Sequence, residues 1–264
     1  MSAVTAPGTP SKSAGIVVAT AVFTARSLRH SLRDVESLVM GVVLPVMMTV
    51  LLTFVFGGAI SSREQYLEYV VPGIVMLCAG FGAATTAIAV STDLSTGAID
   101  RFRTMPIPGW AVLLGHAAAS LVRNLFSTAV VGVVAVLLGY RASGGVGGVV
   151  AAAAVVALWI AAITVLFTVI GLFAKTPQAA SGYGFVFLFL PYLSSAFVPL
   201  STLPAWLRPV AANQPCTPVI ESIRALLDGA DPGSDLLAAI VWCGGFLVVA
   251  TLLCVWAFPR KTSR

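Results

Sequence analysis

From Gly148 to Phe173 the chain reads GVVAAAAVVALWIAAITVLFTVIGLF, 26 residues without a charge. At 1.5 Å per residue a helix of that length reaches about 39 Å, more than the ~30 Å hydrocarbon core of a bilayer. Lipid offers no partner to backbone N–H and C=O groups, so such a run must satisfy them internally, as a helix does. Five further runs share this character: 37–60, 69–91, 109–139, 179–200 and 234–258. Only 9% of the 264 residues are charged and 58% are hydrophobic, against roughly 25% charged in soluble domains. The expectation is an all-α integral membrane protein with six transmembrane helices.

The net charge of +5 is dealt out between the apolar runs, so it reads as a topology signal and not as a nucleic-acid surface. Arg26, Arg29, Arg33, Arg101, Arg103, Lys175, Arg260, Lys261 and Arg264 fall on one side, and Arg63, Arg141, Arg208 and Arg224 on the other. The positive side is cytoplasmic. Both termini and the loop 91–108 are therefore expected in the cytoplasm.

Residues 1–15 are small and polar, with Pro7 and Pro10 and no apolar signal region; a disordered tail without a cleavable signal peptide is expected. Over 16–36, Val17, Ala21, Leu28, Leu32 and Val35 fall on one arc at helical spacing, with Arg26, Arg29 and Arg33 on another. That pattern suits an amphipathic entry helix in the headgroup layer, or an extension of the first span. Residues 16–258 then form a single transmembrane domain, followed by a cytoplasmic tail at 259–264.

Prolines 45, 191 and 199 interrupt the first and fifth runs; a proline inside a span kinks the helix and frees a carbonyl for a neighbour to satisfy. The third run is too long for a simple span. Its start is expected to protrude, with Arg123 snorkelling to the headgroups and His116 an interfacial histidine. Between the fifth and sixth runs, residues 201–234 are too apolar for a solvated loop and too broken to cross. Thr217 with Pro218 predicts a helix start with Glu221 in the first turn, and Gly229 a stop. Val219, Ile220, Ile223, Leu226 and Leu227 give that helix an apolar side, and Trp206 lies in a preceding short piece, 204–212. Two short re-entrant helices at the outer face are expected, carrying Trp206, Glu221 and Arg224.

The only lysines are Lys12, Lys175 and Lys261, and none follows a glycine, so the phosphate-binding pattern G-x-x-x-x-G-K-[ST] does not occur. All ten acidic residues lie at run ends or outside the runs. Ion-coupled carriers place carboxylates at mid-membrane. Two histidines and four dispersed cysteines give no metal-ligand pattern. The chain therefore resembles a pore or carrier whose energy comes from elsewhere.

STDLSTGAIDRFRTMPIP, residues 91–108, is a polar island between two apolar runs. Ser95 or Thr96 is placed to cap a helix beginning near Gly97, and Pro106 to end it. Leu94, Ala98, Phe102 and Met105 share a side, with Arg101 and Arg103 flanking Phe102. A helix over about 92–105 suits either a solvated loop or a rigid docking element.

With YLEYVVPGIV (66–75), GHAAASLVRNL (115–125), FLPYLSSAFVPLSTLPAWLRP (189–209) and NQPCTPVIESIRALLDG (213–229), this stretch resembles the membrane subunit of ABC-2 type (type V) exporters, close to the daunorubicin-resistance permeases. The likeness covers about residues 30–258. It implies a bacterial plasma-membrane exporter in which two permease copies, identical or sister chains, pair with an ABC ATPase dimer. The partner ATPases bind ATP and Mg, and this chain holds no cofactor and is not an enzyme by itself. It further implies that the ATPase pushes on the 91–108 helix through Leu94, Ile99, Asp100, Arg101, Phe102 and Arg103 and touches the entry helix. Substrates of the class are amphiphilic drugs, antibiotics or lipid-like molecules. Phe81, Phe185, Phe189 and Tyr192 then offer an aromatic translocation path, or serve in lipid contact and packing. Small residues in the second and fifth spans, Gly80, Gly82, Ala83, Ala84, Ser181, Gly182 and Gly184, suit close helix approach. The alternative from the residues alone is an ion-coupled secondary carrier or passive channel working without an ATPase; a scaffold or intramembrane enzyme has no polar cluster to support it.

Overall fold

The computed structural model describes residues 35–60, 62–96 and 110–262, and these residues are helical without a strand among them. Helix α1 (Val35–Leu51) runs through a π-helical stretch, Leu52–Phe56, into the short α2 (Gly57–Ile60). It is followed by α3 (Arg63–Ser95), α4 (Trp110–Leu137), α5 (Gly145–Phe173), α6 (Pro177–Leu188), α7 (Arg208–Asn213), α8 (Cys216–Asp228) and α9 (Gly233–Thr262). Among the described residues, four segments are long and apolar enough to cross a membrane: Arg63–Ser95, Leu113–Leu137, Gly145–Phe173 and Gly233–Phe258.

Helix α3 is the pole of the array. It packs against α1, α4, α5 and α6, and α5 in turn carries α8 and α9. The core at these contacts includes Ile74, Met76, Leu77, Ile160, Phe167 and Leu172, each at most 2% exposed. Small residues set the spacing. Gly73 lies so near the backbone of Ala196 that a β-carbon there would stand 2.6 Å from the Ala196 Cβ. Gly82 leaves the space that the Asn124 side chain fills.

In the first run, Pro45 lacks the N–H that would bond the Gly41 carbonyl. The Cys78 thiol of α3 points at that carbonyl, Sγ to O 3.8 Å, and the Thr49 hydroxyl donates to the Pro45 carbonyl at 2.8 Å. The helical path holds from Val35 to Ile60 despite the proline.

Three expectations need correction. The fifth run, 179–200, is not one continuous α-helix. Helix α6 ends at Leu188, the chain tightens into a 3₁₀ turn at Pro191–Leu193, and Ser194 is extended. Pro191 cannot donate and disfavours helical backbone at the residue before it, so bonds of the i→i+3 kind take over. Next, residues 92–95 are not the start of a separate helix. They are the last turn of α3, which begins at Arg63 and not at 69. Thr96 is its C-cap, with its hydroxyl on the Thr92 carbonyl at 2.9 Å. Lastly, Thr217 does not open α8, and Glu221 is not in its first turn. The helix begins at Cys216 after Pro215, and the Thr217 hydroxyl donates to the Ala211 carbonyl at 2.5 Å, tying α8 to α7.

Gly229 closes α8 as its sequence position predicts, with φ +74° that only glycine adopts freely. The carboxyl end of α8 then meets the amino end of α5: the Gly144 N–H donates to the Leu227 carbonyl at 2.8 Å. Helix ends leave such donors and acceptors without intrahelical partners, and here the two ends satisfy one another. A β-carbon on Gly144 or Gly148 would overlap the Leu226 carbonyl.

Candidate coupling and gating site

At the Ser95 end, α3 and α4 flank the 97–109 stretch and are joined by polar contacts. The His116 Nε2 lies 2.9 Å from the Asp93 Oδ2. Deeper in, the Thr86 and Ser120 hydroxyls share a short hydrogen bond. The Arg123 Nη2 donates to the Thr85 Oγ1 at 2.5 Å and to the Gly82 carbonyl at 3.4 Å, and the Asn124 Nδ2 donates to the Ala79 carbonyl at 3.2 Å. On α4 the polar side chains follow helical spacing, 116, 120, 123 and 124, so one stripe of a mostly apolar helix turns toward α3. Arg123 is half-buried at this seam. Its guanidinium is held by α3, where a hydroxyl and a carbonyl replace the water it would otherwise seek.

At the opposite end Arg224 of α8 makes a second polar knot. Its Nη1 donates to the Glu221 Oε1 at 2.6 Å, and its Nη2 to the carbonyls of Tyr69 and Ser195, both at 3.0 Å. The guanidinium carbon lies 3.9 Å from the centre of the Tyr69 ring, and the Tyr69 hydroxyl donates to the Ser195 carbonyl at 2.9 Å. One side chain, 14% exposed, thus joins α8, α3 and the turn that follows the 3₁₀ segment at 194–199. Burial pushes the nearby Tyr140 hydroxyl up to about 12, with Asp228 and Glu68 adding to the rise, so it stays a neutral group at physiological pH. Burial also raises the Asp228 carboxyl, against an opposing pull from Arg224.

Aromatic rings run along α6 and past its break. Phe185 meets Phe189 edge-on at 5.3 Å between centroids, Phe189 meets Tyr192 at 6.3 Å, and Tyr192 stacks on Phe197 at 5.1 Å. Phe185, Phe189 and Tyr192 are 60%, 52% and 43% exposed, so the strip faces outward from this chain. Behind it lies an apolar cavity of about 30 Å³, bounded by Met76, Gly80, Trp159, Phe187, Pro191 and Cys216.

The structure brings together Phe185, Phe189 and Tyr192 of the expected path; Phe81, half-buried on α3, is not part of that chain of rings. Glu221 and Arg224 pair, while Trp206 is 75% exposed on the segment before α7. Leu94 is half-buried on the last turn of α3. Ile99, Asp100, Arg101, Phe102 and Arg103, and the entry-helix residues Arg26, Arg29 and Arg33, lie outside the described residues. Sequence reasoning missed the α3–α4 seam. The available signal was the polar stripe His116, Ser120, Arg123, Asn124 and Ser127 at helical spacing within an apolar run.

The ABC-2 type transporter family matches residues 18–227. Among curated proteins, the chain is 29% identical over 224 residues to the daunorubicin resistance ABC transporter permease protein DrrB1 of Streptomyces coeruleorubidus, covering 84% of this chain and 79% of that one. It is 26% identical over 259 residues to the probable doxorubicin resistance ABC transporter permease protein DrrC of Mycobacterium tuberculosis, covering 97% and 94%. With apolar helices long enough to cross a bilayer and a family match over most of its length, this membrane-embedded chain belongs to the ABC-2 type transporter family.

Proposed function

We propose that the chain is the permease subunit of an ATP-driven exporter that moves amphiphilic drugs, antibiotics or lipid-like molecules out of the cytoplasm or inner leaflet. The ABC-2 match over residues 18–227 is the observation that supports this most directly. The relatives' names, permeases of daunorubicin and doxorubicin resistance transporters, favour an amphiphilic substrate. Hydrolysis of ATP with Mg by a separate ATPase dimer supplies the energy. The ATPase presses on the 91–108 stretch through Leu94, Ile99, Asp100, Arg101, Phe102 and Arg103, and contacts the N-terminal entry segment near Arg26, Arg29 and Arg33.

Both termini and that loop face the cytoplasm, which puts Ser62, α7 and α8 outside. A second permease copy, identical or a sister chain, covers the exposed strip of α6, and substrate passes along Phe185, Phe189 and Tyr192. The Arg224 knot holds α8 against α3 at the exit and must loosen for release. Six crossings follow when the broken fifth segment is counted with α1 and the four long helices.

Inside-out vesicles carrying the chain with its ATPase provide the test. ATP should drive accumulation of fluorescent daunorubicin, and omitting the ATPase should abolish it. Accumulation that ignores ATP and collapses with the proton gradient would point to an ion-coupled carrier.

A further inference from the structure

We infer that Asp93 and His116 are positioning residues for energy coupling: their pairing clamps the mouth of the 97–109 stretch so that α3 and α4 move as one body. This rests on the coupling role proposed above for residues 91–108.

Asp93 is two residues from the end of α3, and His116 is in the second turn of α4. Both residues lie close in sequence to the 97–109 stretch. The side chains are 24% and 14% exposed, so the 2.9 Å contact is largely shielded from water. Behind it the Thr86–Ser120, Arg123–Thr85 and Asn124–Ala79 contacts continue the seam into the helix pair. Sliding α4 along α3 by one residue would leave several of these groups unpaired where water is scarce, which is costly. The seam therefore resists shear, and Gly82 lets it close by admitting Asn124.

A push on a loop moves its two flanking helices together only if their ends are tied. Without the Asp93–His116 tie the ends can splay, and the stroke is lost before it reaches the helix pair. The pair acts through helix placement, so its loss should leave ATPase binding and hydrolysis in place while substrate movement falls.

The test uses the full permease–ATPase complex in proteoliposomes, with Asp93→Ala, His116→Ala and the swapped double variant Asp93→His/His116→Asp. Transport and hydrolysis are measured together. Each single change should lower substrate moved per ATP about tenfold, the order expected for losing a hydrogen bond to a charged group. The swap should restore the ratio to within about threefold of the parent. An unchanged ratio in the single variants would overturn the inference. So would a parallel loss of hydrolysis, transport and complex assembly that the swap does not repair, since that marks a merely structural contact. A parent complex with no ATP-driven transport would instead sink the exporter function itself, and the clamp with it.

Discussion

At Gly82 the absent side chain is the space that holds Asn124, whose amide reaches the Ala79 carbonyl. Gly82→Ala should therefore overpack the α3–α4 seam and cost about 1–3 kcal/mol. Thermal unfolding in detergent checks it, and adding Asn124→Ala should recover part of the loss, because the two sites share one space. Gly182→Ala is the contrast. Nothing lies within 4 Å of a β-carbon there, so the monomer should be unchanged or gain up to about 1 kcal/mol from helix propensity. At Asp228 burial raises the carboxyl pKa above its ordinary value. For an acid with a raised folded-state pKa, stability is lost as pH rises through that pKa. Asp228→Asn should then be neutral to mildly stabilising at pH 7, with the difference gone in acid. A stabilisation that grows in acid would contradict the assignment.

On helix α8 one side chain, Arg224, reaches two neighbours, α3 and the 194–199 turn. Arg224→Met keeps much of the volume but removes the bonds to the Tyr69 and Ser195 carbonyls and leaves Glu221 without its partner. The expected loss is about 2–4 kcal/mol, read as a lower melting temperature, with easier proteolysis of the 194–207 segment. The outline of this region was legible in the sequence: Gly229 announced the stop, and Val219, Ile220 and Ile223 the buried side. Its start was not, because Thr217 spends its hydroxyl on Ala211 of α7 and not on a cap. The break in the fifth run was half legible. Pro191 marked the place, but the turn beyond it sits where Ala196 packs against Gly73, a contact more than 120 residues away in sequence. The seating of Arg123 on α3 was not legible for a related reason. Its partners, Gly82 and Thr85, are about 40 residues away in sequence, and no local pattern announces a pairing at that distance.

The second copy proposed above has an exposed surface to sit on. Helix α3 is covered on most sides, while α6 shows Tyr183, Phe185, Val186 and Phe189 to the outside, each more than half exposed. A second copy on that strip predicts that Val186→Cys, in a chain whose native cysteines are changed to alanine, forms a disulfide-linked dimer under mild oxidation. Leu237→Cys on α9, 66% exposed, should stay monomeric. Equal cross-linking at both positions, or none at either, would place the partner elsewhere. The central claim is that another protein powers this chain through residues 91–108. It is tested most directly by a mild-detergent pull-down of the tagged chain from its native membrane, with the eluate assayed for ATP hydrolysis, for the parent and for Phe102→Ala. A stoichiometric ATPase with the parent, its hydrolysis or retention lost with Phe102→Ala while the variant still inserts, is the predicted result. A parent chain that elutes alone and hydrolyses nothing in several detergents would contradict it.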